Sequence, residues 1–196
     1  MSLQNRIKPR IKIDIDNVLN NMTETMIAIY NARHGTDYAL EDCKQYDFAS
    51  FDGAMRDELF GMLSQQELYD KMRPARHAAQ YLFLLMHEFD VKIVTATSPD
   101  NVPLKMGWLR KWFPYVKDSD VIIASDKKWI DADYAIDDHL GNLLHDLADR
   151  ILIDAPWNRR VIDYAYSIRR VSDLRDAYQI IKTLEKELEK EYEDSF

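Results

Sequence analysis

Two aspartates stand two positions apart at the end of an apolar run, Asp14 and Asp16 in "IKIDIDNVL". Strand alternation sets Lys12, Asp14 and Asp16 on one side and Ile11, Ile13 and Ile15 on the other. Acids this close repel, so one keeps a proton unless a cation lies between them. A solvated face of a half-exposed strand is one reading. A calcium loop is a second, and it fails: Val18 and Leu19 stand at the fifth and sixth loop positions and Thr25 at the twelfth, where a ligand, a glycine and a glutamate are needed. The third reading places both carboxylates at the carboxyl edge of a parallel strand, where open α/β sheets bind ligands. A divalent metal there relieves the repulsion.

Two further stretches carry chemistry. In "IVTATSPD" apolar residues run to Val94, Thr95, Ala96 and Thr97 follow, and Ser98-Pro99 has the form of an N-cap followed by the first residue of a helix. It caps a helix, or its hydroxyls and free N–H groups hold phosphate oxygens. In "ASDKKWIDADYAIDDHLGN", Lys127 and Lys128 precede a short apolar run that ends in Asp137 and Asp138. Ionised groups at a strand end need partners. His139 follows them but has no companion histidine at helical spacing.

These residues need elements to hold them. Arg10 to Ile15 reads as a first strand and Thr23 to Arg33 as a helix ended near Gly35. From about Pro74 an amphipathic helix leads into the strand "DVKIVTAT"; a helix, the strands "VIIAS", "YAID" and "RILID", and a terminal helix follow. Ile181, Leu184 and Leu188 make an apolar stripe on that last helix, expected to pack on the sheet, with a homodimer contact as the alternative. The order predicts an α/β fold, a Rossmann-like parallel sheet flanked by helices. No strand pattern shows between 20 and 73, so that segment is expected as a small helical cap inserted after the first strand, with 1–19 and 74–196 forming the core.

The chain has 196 residues, 46% of them apolar, enough for one sizeable domain and a modest insertion. Its net charge of −8 repels polyanions and argues against a nucleic-acid duplex as partner. A single cysteine, Cys43, excludes an intrachain disulfide. No apolar run resembles a signal peptide or spans a bilayer, so a cytoplasmic protein is expected.

Asp-x-Asp after the first strand, Thr-Ser at the end of a later one, then a lysine, then Asp-Asp at a strand end: in this order the chain resembles the haloacid dehalogenase superfamily of phosphohydrolases. Within it the likeness is to the 5'(3')-deoxyribonucleotidases, through "DIDNVL", "TSP", Lys127 ten residues ahead of Asp137, and "DAPWNR". Asn17 stands where that family commonly has glycine. The resemblance implies an aspartyl-phosphate phosphatase of nucleoside monophosphates, with Asp14 as nucleophile and Asp16 as acid and base. It implies a Mg2+ site on Asp14, the Asp16 backbone carbonyl and Asp138, with Asp137 beside them, and a phosphate cradle of Thr97, Ser98 and Lys127. Met22, Tyr46 and Phe48 are the candidates for gripping a base. A phosphatase for a sugar phosphate or a polynucleotide 3'-phosphate end, and a non-catalytic metal- or phosphate-binding regulator, are the alternatives.

Overall fold

The computed structural model describes residues 8–144, 147–160 and 167–195. Six strands form one parallel sheet: β1 (Arg10–Ile13), β2 (Asp90–Thr95), β3 (Val121–Ile123), β4 (Tyr134–Asp137), β5 (Asp149–Ile153) and β6 (Ile168–Val171). Their spatial order is β3-β2-β1-β4-β5-β6. From β1 the chain winds outward to β2 and β3, then returns to lay β4 against the other side of β1. The strand order therefore reverses between β1 and β4, and a crevice opens there outside the strands' carboxyl ends.

The helices are α1 (Met22–His34), α2 (Gly53–Met62), α3 (Gln66–Lys71), α4 (Ala78–Glu88), α5 (Val102–Trp112), α6 (Leu140–Leu143) and α7 (Leu174–Asp194). No described helix is long and apolar enough to cross a membrane. Gly35 ends α1 in the left-handed conformation, as expected of a glycine just past a helix. Ile11, Ile13 and Ile15 are buried in one cluster with Met26 and Ile29 of α1, Leu59 of α2, Leu82 of α4 and Ile181 of α7. Helical segment and sheet thus share a continuous apolar core, and burying it is the main favourable term in folding. The segment joins the core through paired main chain: Asn21 N donates to the Arg73 carbonyl at 3.1 Å and Ala75 N to the Leu19 carbonyl at 2.9 Å.

The sequence expectations need four corrections. The first strand stops at Ile13 rather than Ile15. The strand β6 lies where none was expected, because "IRRV" buries Ile168 and Val171 and half-buries the two arginines between them, which is no alternation. The helix expected from Pro74 starts at Ala78: His77 adopts a positive φ of 62° and Pro74 instead bridges to Asn20. On α7, Ile181 and Leu184 pack on the core but Leu188 is exposed, since the helix runs on past the sheet.

Candidate active site

β1 delivers Asp14 one residue beyond its last strand position, and Asp14 N still donates to the Ile136 carbonyl of β4 at 3.0 Å. β4 ends at Asp137 itself. The two central strands thus carry their acids to the same end of the sheet. Asp14, Asp137 and Asp138 are all buried, and each offers a carboxylate oxygen within 4.8 Å of the others.

Lys127 enters this group. Its ammonium donates to Asp14 Oδ1 and Asp137 Oδ2, both at 2.8 Å. Burial pulls its pKa down, but Asp14 and Asp137 outweigh burial and hold it well above the usual lysine range. One lysine does not neutralise three carboxylates. Burial, with Asp137 and Asp16 adding to it, raises the Asp14 carboxyl to about 6 against the pull of Lys127. Burial and then Asp137 and Asp14 push Asp138 well above the ordinary carboxylate range. An all-oxygen donor set with excess negative charge fits a hard divalent cation.

The donors sort the acids. Asp137 accepts from Lys127, from His139 N at 2.9 Å and, through both oxygens, from Asn142 at 3.0 and 3.1 Å. Asp138 Oδ2 accepts from Trp157 Nε1 at 3.1 Å and Asn17 Nδ2 at 3.3 Å; among the described residues no donor reaches its Oδ1. Asp138 therefore has an oxygen to give a cation, whereas Asp137 is taken up in orienting Lys127. Asp16 lies apart from the three-acid group: Lys105 donates to its Oδ2 at 2.5 Å and Asn20 to its Oδ1 at 3.1 Å.

Asn17 sits at a positive φ of 58°, the conformation for which glycine is usual at this turn. Its side chain also does what glycine cannot: its Nδ2 donates to Asp138, and its Oδ1 accepts from Thr23 N at the start of α1 at 2.9 Å.

Asp14, Asp16, Lys127 and Asp138 open onto a cavity of about 380 Å³, which Thr97, Ser98, Met22, Tyr46 and Phe48 also line. Every sequence-predicted residue but Asp137 thus faces one space. Ser98 occupies the N-cap position of the turn Pro99–Asn101, but its side chain makes no capping bond. Lys128 pairs with Asp126 at 2.7 Å on the surface and stays out of the site. His139 stacks on Tyr46, with ring centroids 3.7 Å apart and planes 10° apart. Burial lowers its pKa, and burial together with Asp138 and Asp14 raises that of Tyr46.

A family model described as 5' nucleotidase, deoxy (pyrimidine), cytosolic type C matches residues 8–188. The chain belongs to that family. It is thus a member of a family of phosphoric monoester hydrolases, and its sheet is of the haloacid dehalogenase type. A 5'(3')-deoxyribonucleotidase of Bacillus subtilis is 28% identical over 155 residues, 78% of this chain and 89% of that one. A haloacid dehalogenase family hydrolase of Deinococcus radiodurans, solved with bound phosphate and sodium, shares the fold at a TM-score of 0.60 and 12% identity, over 87% of this chain and 93% of its own. The hydrolase YfnB of Bacillus subtilis, solved with magnesium, does so at 0.55 and 12%, over 89% and 99%.

Three residues around these acids had escaped sequence reasoning. Lys105 is buried, 89 residues from Asp16, and also donates to Thr95 Oγ1 at 3.1 Å. Asn20 takes Asn17 N and Met22 N on its Oδ1 while holding Asp16. Asn158 ties the Asp138 and Ile153 carbonyls together, both at 2.8 Å. Lys105 lies in a helix that reads as plain amphipathic, and no local pattern marks it. A buried-polar signal was available only for Asn158, inside the "DAPWNR" stretch already singled out.

Proposed function

We propose that the protein is a magnesium-dependent phosphatase of deoxyribonucleoside monophosphates that works through an aspartyl-phosphate on Asp14. The observation that carries this reading is the Lys127 ammonium set between Asp14 and Asp137, with Asp138 beside them, on the floor of a cavity whose other wall is aromatic. The name of the B. subtilis relative supports the substrate class, and the magnesium in YfnB supports the metal.

In this reading Asp14 attacks phosphorus, forming the bond from its carboxylate oxygen to phosphorus as the ester oxygen leaves. Lys127 holds Oδ1 of the nucleophile and, with Thr97 and the Ser98 backbone, the phosphoryl oxygens. Asp14, Asp138 and the Asp16 carbonyl would hold the magnesium, which would supply the positive charge that lets an anion approach a phosphate. Asp16 gives its proton to the departing alkoxide, then takes one from the water that opens the aspartyl-phosphate. Lys105 and Asn20 keep its carboxyl group in one orientation. Residues 20–73 act as the cap over residues 1–19 and 74–196, closing on the substrate and limiting bulk water. Met22, Tyr46 and Phe48 lie against the nucleoside, flat rings suiting a flat base.

The test is a panel of nucleoside 5'- and 3'-monophosphates and sugar phosphates, with magnesium and with chelator. Turnover is expected on deoxyribonucleotides, lost with chelator and in Asp14→Asn. Activity confined to sugar phosphates rejects the substrate class; full turnover in Asp14→Asn rejects the nucleophile.

A further inference from the structure

Lys127 is carried by an unusual support. The crossover from β3 to β4, residues 124–133, contains no α-helix, only a 3-10 turn at Lys127–Trp129. Within it Lys127 alone is buried, and Trp129 is 78% exposed. A surface loop is a poor mount for a side chain that must be held to a fraction of an ångström.

The mount comes from beneath the loop. Lys12, in the middle of β1, is only 5% exposed. Its ammonium donates to the Lys127 carbonyl at 3.0 Å and the Ile130 carbonyl at 2.7 Å. Ile130 N also donates to the Lys127 carbonyl, at 3.1 Å, so Lys12 closes a turn that is already folded back on itself. β1 grips the loop at its two ends as well. Arg10 N donates to Asp133 Oδ2 and Asp133 N to the Arg10 carbonyl, both at 2.8 Å. At the other end Asp14 takes the Lys127 ammonium.

A lysine buried on a central strand is costly where a leucine or valine would pack. Here the covering layer is loop rather than helix, and it turns carbonyl oxygens toward the sheet. An ammonium answers those oxygens; an aliphatic side chain would take this donor from the Ile130 carbonyl and leave the Lys127 carbonyl only its bond from Ile130 N.

We infer that Lys12 is a positioning residue of the hydrolytic site. It fixes the 127–130 turn to the central strand, so that the Lys127 ammonium stays between Asp14 and Asp137. The inference rests on the phosphate-binding role given to Lys127 above.

The test compares Lys12→Met, Lys127→Met and the double variant in the full chain. kcat is measured with magnesium on the phosphate ester that the unaltered protein turns over best, and Tm is recorded for each. K127M is expected to lose on the order of a hundredfold or more, and K12M about ten- to hundredfold. The double variant is expected to fall no further than about twofold below K127M, because Lys12 acts through Lys127. Lys12→Arg, which keeps donors for both carbonyls, is expected to retain more turnover than K12M. Where K12M does not fold, Lys12→Gln takes its place in the same comparison. A Lys12 variant that keeps kcat within about twofold, or that costs as much in the K127M background as alone, overturns the inference. Unimpaired K127M overturns the role of Lys127 and the inference with it, a result read without any Lys12 variant.

Discussion

On the floor of the cavity Asp16 and Asp138 each accept hydrogen bonds from two donors, and Asp14 is locked to a buried lysine that Asp137 also holds. Its roof, built from residues 22–69, is held differently. Tyr46 is 43% exposed and meets the floor through a ring stack on His139. Asp47 and Phe48 both take positive φ values, near 58°, where neither is a glycine. Phe48 is kept there by burial and by an edge contact with Phe60 at 5.2 Å. The floor is positioned by strand ends and charged networks, the roof by short turns and aromatic contact. Groups that must meet phosphorus in one geometry gain from the first kind of support. A surface that shapes a binding pocket tolerates the second.

Substitutions on the two sides should therefore differ in kind as well as in size. Asp14→Asn should lower kcat by roughly 10⁴-fold or more, since in the proposed mechanism it removes the nucleophile and with it the step itself. The fold should survive, because the change removes a buried like charge. Steady-state turnover with thermal melting checks both.

The next effect is on stability without metal. Asp14 is raised from 3.8 to about 6 in the folded chain, and Asp138 is raised too, so the folded state binds more protons than the unfolded one between those values. That stability is present below pH 4 and is lost as pH rises through about 6, on the order of 2–3 kcal/mol for Asp14 alone. Melting in chelator should show the fall across this window, and magnesium should abolish it. A metal-free protein that gains stability over the same window would refute the crowded-acid account of the floor.

Lys105→Met should cost about ten- to hundredfold in kcat with little change in KM, because it frees Asp16, the acid and base of the proposed mechanism. Lys105→Arg should recover part of the loss. The smallest effect belongs to the roof. Phe48→Ala and Tyr46→Ala should each raise KM about three- to tenfold and leave kcat nearly unchanged, the loss of one aromatic contact. If instead the roof variants reduce kcat as much as K105M does, the division between reacting floor and binding roof is wrong.

The residues legible in the sequence share one property: their meaning is local. Asp14 and Asp16 close an apolar strand, Asp137 and Asp138 close another, and Ser98-Pro99 opens a turn; each announces itself within five or six neighbours. The left-handed turn at Asn17 is legible from the residue type, yet its bond to Asp138, 121 residues away, has no local sign. Lys105 and Lys12 carry no local sign either. An amphipathic helix and an alternating strand each place a lysine on the polar side by default, and periodicity does not tell solvent from a buried acid or a pair of carbonyls. The β6 strand is not legible in the sequence, because an edge strand with two arginines shows no alternation.

By itself the sequence determined the parallel α/β class, the order of the acids along the chain and the hydrolase family, since strand periodicity and residue type are properties of short windows. The tertiary structure alone decided which acid keeps a free oxygen, which lysine holds Asp16, and that Lys12 faces a loop instead of water. Those outcomes depend on which distant segments cover each face of β1, and burial by a distant segment converts a solvated charge into one that must find a partner.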